Sequence, residues 1–332
     1  MSTPPHSEVS SPYVQKVGDL SSKMLIPTIK SYRNMEFLNS HAGRMIRILC
    51  EFEEPQQRLQ QHFIRSTVLF FGSARSMTQE EYNTTLQSLQ SKLAAATEES
   101  MKASLQIELA RLEKTQWMCR WVGVVEKLAK MVAVFARNEQ DIINRSFKYI
   151  PDYFRLSPED RSGSLDDLHE RFDDLVVTTG GGPGFMEAAN RGAASVPGAV
   201  TMGMGISLPF ERGLNPHVTK GLAFEFHYFF TRKFWMMYSC RAIVVAPGGF
   251  GTMDEMFELL TLKQTKKIPS LPVVLLGKEF WQTVVNWQAL ADYGVISQAE
   301  IDDMFFTDSA EEAIEYITAF YHRLANGPAG AA

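Results

Sequence analysis

The feature that most constrains this chain is an apolar strand that runs into a cluster of glycines and then into a helix. Residues 242–246 form a continuous apolar run typical of a buried parallel strand, and residues 256–262 have helical spacing. Between them stands the sequence Pro-Gly-Gly-Phe-Gly-Thr-Met-Asp-Glu, residues 247–255. The first N–H groups of such a helix and its dipole favour an anion above the strand. The sequence therefore predicts a phosphate-binding turn that needs no lysine.

A second turn of the same kind lies upstream. Residues 175–179 read as a strand, residues 180–184 are Gly-Gly-Gly-Pro-Gly, and residues 185–193 read as a helix. Two glycine turns at the carboxyl ends of parallel strands predict a binding crevice at that edge of the sheet. Either turn alone is also compatible with a plain tight connection between a strand and a helix.

Neither turn fits the better-known nucleotide-binding signatures. Counted from Gly180, the sixth position is Phe185, whereas the dinucleotide fingerprint requires glycine there. The turn that ends at Gly251 lacks the lysine followed by serine or threonine of a P-loop. NAD and ATP are therefore disfavoured as ligands, and a smaller phosphate ligand is favoured.

Four motifs in order resemble those of the LONELY GUY (LOG) family. Arg232 and Lys233 stand together in an aromatic segment, and residues 247–255 complete the pattern P-G-G-x-G-T-x-x-E. Residues 71–75 resemble the family's first strand and its Gly-Ser turn, and residues 180–186 resemble its second glycine loop. The resemblance extends from about Val68 to Tyr321. Members of this family are nucleotide 5′-monophosphate phosphoribohydrolases that were long mislabelled lysine decarboxylases.

The resemblance implies a set of site residues. It assigns Arg232 and Glu255 as the catalytic pair. A carboxylate also suits the reaction, because glycosidic cleavage passes through a ribosyl cation-like state whose charge a carboxylate stabilises. The residues expected to bind substrate are Gly72, Ser73, Gly181, Gly182, Gly184, Met186, Lys233, Pro247, Gly248, Gly249, Gly251 and Thr252.

Each of these roles has a structural alternative. Arg232 and Lys233 could simply extend to solvent from an aromatic helix. Thr252 and Glu255 have the spacing of a capping box, in which the threonine is the N-cap and the glutamate the third helical residue. His227, in an aromatic run, is expected to be a packed core residue rather than a catalytic one.

Composition excludes several classes of protein. The formal charge of −5 gives no electrostatic reason to expect nucleic acid or an anionic membrane as partner. Three scattered cysteines, with no CxxC pair, signal neither a disulfide framework nor a zinc site and favour a reducing, cytoplasmic location. No signal peptide and no membrane-length apolar stretch is recognised. We expect no metal and no cofactor.

Strands alternate with helices along the chain, which predicts an α/β protein with a Rossmann-like, doubly wound, mostly parallel sheet. We expect one domain over residues 21–325, with a helical N-terminal extension, a disordered segment at 1–20 and a flexible tail at 326–332. Helical insertions are expected at about 78–115 and 138–170, on either side of a crossover helix at 117–136. Further strands are expected at Val68–Phe71, Ala199–Ile206, Gly221–Phe226, Leu271–Leu276 and Met304–Thr307.

The leading interpretation is a hydrolase that cleaves a nucleoside 5′-monophosphate, such as AMP or a cytokinin riboside monophosphate, into free base and ribose 5-phosphate. A non-catalytic carrier of a nucleotide or a phosphorylated cofactor is the alternative. Lysine decarboxylation is disfavoured because nothing marks a Schiff-base lysine. The resemblance also implies a homodimer or higher homo-oligomer, with the helix at residues 229–239 as a self-complementary surface.

Overall fold

The computed structural model describes residues 27–148, 174–207 and 213–327. The predictions for residues 1–20, for the larger part of the 138–170 insertion and for residues 328–332 lie outside these ranges. The chain divides into two compact units, Met1–Arg47 and Ile48–Ala332. In the first unit a short 3-10 turn precedes helix α1 (Met35–Asn39), whose first turn is capped by the Asn34 side chain accepting from the Phe37 N–H at 3.1 Å.

The second unit is built on a seven-stranded sheet in which all pairs are parallel. Its strands are β1 (Thr67–Phe71), β2 (Val176–Thr179), β3 (Thr201–Ile206), β4 (Ala223–Phe226), β5 (Cys240–Val245), β6 (Val273–Leu276) and β7 (Met304–Thr307). They lie in the order β4-β3-β2-β1-β5-β6-β7. The chain winds outward from β1 in one direction and then returns to β5 and winds outward in the other, which confirms the doubly wound prediction.

Helices cover both faces of this sheet. The helices that follow α1 in the described residues are α2 (Arg44–Gln61, whose first turn lies in the first unit), α3 (Gln79–Ala95), α4 (Glu99–Glu113), α5 (Cys119–Asn138), α6 (Gln140–Phe147), α7 (Phe185–Ala194), α8 (Phe229–Tyr238), α9 (Phe250–Gln264), α10 (Lys278–Val284), α11 (Trp287–Asp292), α12 (Gln298–Asp302) and α13 (Ala310–Ala325). Strand β1 shows why both faces are needed, since all five of its residues are buried. Val68 and Phe70 face one core, whereas Leu69 and Phe71 face the other.

The two cores have different helices. One core packs α5, α6, α7 and α13 on the sheet, and the other packs α8 to α11 together with the end of α2. Helix α5 falls where the crossover helix was predicted and buries ten residues. Helices α3 and α4 confirm the helical character of the segment at 78–115, and α3 begins with a capping box between Thr78 and Glu81. No helix of the described residues is long and apolar enough to cross a membrane.

Candidate functional site

The first and fifth strands end side by side at the point where the winding direction reverses. The N–H of Ala246 donates to the Phe71 carbonyl at 2.8 Å, and the N–H of Ser73 donates to the Pro247 carbonyl at 3.0 Å. These bonds join the turn after β1 to the turn after β5. In an open parallel sheet this reversal is the usual position of a ligand crevice, so the fold brings two of the predicted turns to the expected place.

The turn after β2 packs directly on the turn after β1. The N–H of Phe185 donates to the Ser73 carbonyl at 3.3 Å. Gly184 has φ +72°, and a Cβ there would lie 2.5 Å from the Ser73 carbonyl oxygen. Gly181 has φ +75°, and a Cβ would collide with Leu214 at 2.5 Å. Glycine is thus required at both positions by conformation and by close approach.

A buried amide network fixes the shape of this turn. Asn190, fully buried on α7, accepts from the Thr179 hydroxyl at 2.7 Å and donates to the Thr201 hydroxyl at 2.6 Å. The Asn215 amide bridges Asn190 (2.8 Å) and the carbonyls of Gly181 and Gly182 (3.1 and 3.2 Å). Buried polar groups that are fully bonded make a structure rigid. Sequence reasoning missed both asparagines, because no local motif links positions 179, 190 and 215.

Arg232 and Glu255 form an ion pair beneath the glycine turns. Nη1 of Arg232 lies 2.6 Å from Oε1 of Glu255, and each residue is only 8% exposed. Nε of Arg232 donates to the Met204 carbonyl on β3 at 2.8 Å. Nη2 faces the second glycine turn, since a Cβ at Gly180 would lie 2.6 Å from it. The guanidinium therefore connects β3, α9 and the turn after β2.

Two opposing effects act on the Glu255 carboxyl. Burial raises its pKa above the ordinary value, and the charge and hydrogen bond of Arg232 act in the opposite direction without cancelling the rise. Because burial outweighs Arg232 here, the Glu255 carboxyl accepts a proton more readily than a solvated carboxyl does. Such a group suits acid-base chemistry.

Lys233 lies on the outer side of the same pair of helices. Its ammonium group is 2.7 Å from Oδ2 of Asp254 and 2.8 Å from Oε2 of Glu258. Burial lowers its pKa, but the hydrogen bonds to the two carboxylates outweigh burial and the pKa is raised. Lys233 therefore fastens α8 to α9. Its predicted contact with substrate stays a prediction.

The turn after β5 does not contain the capping box that the spacing of Thr252 and Glu255 suggested. Gly249 is the N-cap of α9, so Thr252 is the third helical residue and Glu255 lies a turn further on, paired with Arg232. The capping box is therefore wrong, because the glycines themselves begin the helix. Thr252 instead packs on Gly248, where a Cβ would lie 2.2 Å from its Oγ1.

Other glycines of this turn face open space. A Cβ at Gly249 or Gly251 would meet no atom of the described residues within 4 Å, and neither glycine has a positive φ. Phe250, between them, is 94% exposed. The start of α9 therefore has room for a ligand beside its free N–H groups.

Met186 lies over the second glycine turn. A Cβ at Gly180 would lie 2.9 Å from its sulfur, and a Cβ at Gly182 would lie 2.8 Å from its terminal methyl. The structure therefore brings Met186 together with Gly180, Gly182 and Arg232. Gly180 was absent from the predicted set, although its close approach to Arg232 makes it part of the site.

The aromatic segment before Arg232 corrects one prediction. His227 is exposed rather than packed in the core, and its ring meets Tyr228 edge-on at 4.7 Å. The expectation was wrong because His227 lies past the end of β4, where the chain leaves the sheet. Trp235, Met236 and Met237 are buried, whereas Phe229, Phe230 and Phe234 are exposed on α8.

Comparison with known proteins agrees with the resemblance. A family model described as "Possible lysine decarboxylase", the former label of the LOG family, matches residues 186–317. The LOG resemblance is confirmed over this part of the chain. The match includes α8, the β5 turn and α9, and thus both Arg232 and Glu255. The LOG family suggests a fold related to nucleotide phosphoribohydrolases.

No curated protein sequence matched the chain. Among solved structures, the chain resembles the molybdenum cofactor binding protein from the phototrophic bacterium Rippkaea orientalis. The two are 19% identical, with 60% of this chain and 86% of that chain covered and a TM-score of 0.34.

Proposed function

We propose that this protein hydrolyses the N-glycosidic bond of a nucleoside 5′-monophosphate and releases the free base and ribose 5-phosphate. The buried Arg232–Glu255 pair is the observation that carries the proposal. Burying an ion pair is costly unless it is well bonded. A fold has little need of such a pair directly under two glycine turns, whereas glycosidic cleavage needs a carboxylate there.

The arrangement suggests how the substrate would lie. The phosphate would sit on the N–H groups at the start of α9, beside Gly249 and Gly251, where the dipole favours an anion. Glu255 lies farther along the same helix, on its buried side. The ribose would then extend from the phosphate towards Glu255. Under this proposal the phosphate fixes the sugar relative to the carboxylate, so nucleosides without phosphate would be poor substrates.

The chemistry requires a base to leave and water to take its place. As the C1′–N bond breaks, positive charge develops on the ribose, and the Glu255 carboxylate would stabilise it. The oxygen of water then bonds to C1′, and the proton it releases ends on the departing base. The raised pKa of Glu255 suits it to carry that proton on the way. Arg232 would hold the carboxylate in place and direct Nη2 towards the substrate.

The second glycine turn supports this proposal from the opposite side. Gly180 and Gly182 hold Met186 and the Arg232 guanidinium close to the backbone. The rigid network of Asn190 and Asn215 keeps the turn in that shape. A cation held in a fixed position beside a reacting centre can stabilise the charge of a transition state without reorganising.

Lys233 argues against the older decarboxylase label. A lysine that forms a Schiff base must reach its neutral form easily. Two carboxylates instead raise the pKa of Lys233 and hold its ammonium group protonated. The lysine nearest the catalytic pair is therefore poorly suited to that chemistry.

The direct test is a panel of nucleoside 5′-monophosphates, including AMP and a cytokinin riboside monophosphate, each paired with its nucleoside. Release of free base and ribose 5-phosphate is followed by chromatography. We expect turnover of at least one monophosphate and little or none of its nucleoside. Equal turnover of the two would contradict a site anchored by phosphate. Tight nucleotide binding by calorimetry, with no product after hours, would instead favour a carrier.

Self-association stays a prediction. Phe229, Phe230 and Phe234 expose apolar surface on α8, next to Arg232. Light scattering at micromolar protein would test it, and a monomeric mass would refute it.

A further inference from the structure

Helix α8 carries Arg232 but has no capping side chain of its own. Its N-cap is Tyr228, whose side chain makes no cap hydrogen bond. Glu51, on α2, supplies the missing acceptor. Its Oε1 accepts from the His227 N–H at 2.8 Å, and its Oε2 accepts from the Tyr228 N–H at 3.3 Å. The start of α8 is thus held by a residue 177 positions away in the sequence.

Two further bonds tie Glu51 to the same helix. The Thr231 hydroxyl donates to Oε2 of Glu51, and the indole N–H of Trp235 donates to the Glu51 carbonyl at 2.9 Å. Thr231 immediately precedes Arg232, and Trp235 lies one turn after it. The contacts of Glu51 therefore bracket the catalytic arginine on both sides along α8.

A carboxylate at this position also has the right charge. The first turn of a helix has unpaired N–H groups and a partial positive charge, and an acidic side chain stabilises both. The rotation of α8 about its own axis decides whether Arg232 points at Glu255. Since the Arg232–Glu255 contact is 2.6 Å long and buried, a small movement of the start of α8 would break it.

A second anchor of α2 lies apart from α8. Nη1 of Arg58 donates to the Ala223 carbonyl at 2.6 Å, and its guanidinium stacks 4.3 Å from the Phe224 ring. Arg58 thus fastens α2 to the start of β4 without contacting α8. This arrangement provides a matched control, because losing Arg58 weakens the hold of α2 but leaves the start of α8 capped.

We propose that Glu51 is a positioning residue that fixes helix α8 so that Arg232 meets Glu255 in the geometry required for catalysis. Its catalytic consequence rests on the proposed function. Helix α2, which contributes no atom to the reaction, would then be a necessary part of the active site.

The test compares Glu51→Gln with Arg58→Gln in the full-length protein. Hydrogen exchange, read by mass spectrometry on peptides covering α8, reports the opening of that helix independently of activity. Steady-state kinetics with the best monophosphate gives kcat and KM separately. Thermal melting curves of both variants identify one temperature, well below both unfolding transitions, at which the exchange and kinetic measurements are made. Glu51→Asp keeps the charge on a shorter arm and replaces Glu51→Gln if that variant does not fold.

For Glu51→Gln we expect exchange in α8 to rise about tenfold and kcat to fall about tenfold, with KM little changed. Arg58→Gln should change neither, even if it melts earlier. Unchanged exchange in Glu51→Gln, or faster exchange with unchanged kcat, would overturn the positioning role. If the unaltered protein releases base from no nucleotide, the proposed function fails, while the exchange comparison still decides whether Glu51 holds the helix of Arg232.

Discussion

The turns after β2 and β5 have similar glycine-rich sequences, but their glycines serve different purposes. After β2, side chains at Gly180, Gly181 and Gly184 would collide with protein atoms, and two of these glycines have positive φ. After β5, Gly248 packs against Thr252, but side chains at Gly249 and Gly251 would meet no described atom within 4 Å. The first turn is therefore shaped by the protein itself, whereas the second leaves space that a ligand can fill.

Substitutions in the two turns should therefore affect different properties of the protein. A change in the β2 turn acts through packing and moves Arg232, so it should affect stability and turnover together. A change in the β5 turn acts on whatever occupies the open space, so it should affect substrate binding with little cost to the fold. The ion pair lies between the two turns and should give the largest effect of all.

Glu255→Gln is the most severe test, because it keeps the shape and removes the charge. If the carboxylate acts in the reaction, base release should fall by a factor of about 100 or more. Arg232→Ala should cause a parallel loss. Each substitution also destabilises the fold, because it leaves the other member of the buried pair without its counter-charge, at a cost of about 3–5 kcal/mol. Turnover assays and urea unfolding measure the two effects.

Glu258→Gln is the matched control for this experiment. Glu258 lies one turn further along α9 and pairs with Lys233 rather than with Arg232. We expect it to keep near-normal turnover. If Glu255→Gln also keeps near-normal turnover, the mechanism is wrong, although the fold would stand.

Much of the fold, and less of the site, could be predicted from the sequence. All seven strands lie where apolar runs predicted them, because strands of a parallel sheet buried on both faces are marked by composition alone. Arg232 and Glu255 were named together from the family resemblance, but the buried ion pair between them could not be derived from the sequence, since 23 positions and one strand separate them. Asn190, Asn215 and Glu51 were missed for the same reason. Each acts through contacts that only the folded chain creates.

Paired alanine substitutions at Gly180 and Gly249 test the comparison of the turns directly. A methyl group at position 180 would press on Nη2 of Arg232 and the sulfur of Met186. Such overpacking should cost about 1–3 kcal/mol and lower kcat about tenfold. At position 249, the N-cap of α9, alanine should cost no more than about 1 kcal/mol of stability, while KM rises about tenfold, equivalent to about 1.4 kcal/mol of binding.

Kinetics and unfolding curves for both variants decide between the two kinds of turn. Equal losses of stability would mean that the β5 turn is also packed by the protein. An unchanged KM in Gly249→Ala would remove the argument that a phosphate occupies the open space at the start of α9.

A smaller effect is expected in the pH dependence of stability. Burial raises the pKa of Glu255 above its ordinary value of 4.5. At pH values between the ordinary pKa and the raised pKa, the native state holds a proton that the unfolded chain has released. The contribution of Glu255 to the unfolding free energy therefore falls as pH rises. Glu255→Gln lacks the group. The stability difference between the unaltered protein and the variant should therefore shrink from about pH 4 upwards and then level off. A difference that grows with pH would mean that Arg232 outweighs burial.

Lys233→Gln should have the smallest effect. Asp254 is exposed and Glu258 is partly exposed, so losing the two ion pairs should cost about 1 kcal/mol. If Lys233 only fastens α8 to α9, kcat and KM should stay within about threefold of the unaltered protein. Lys263→Gln is the control, because Lys263 is similarly buried and pairs with Asp303 at 2.6 Å. A KM raised more than about tenfold in Lys233→Gln alone would show that this lysine releases its carboxylates to bind substrate, and the turn after β5 would then share the phosphate with a cation.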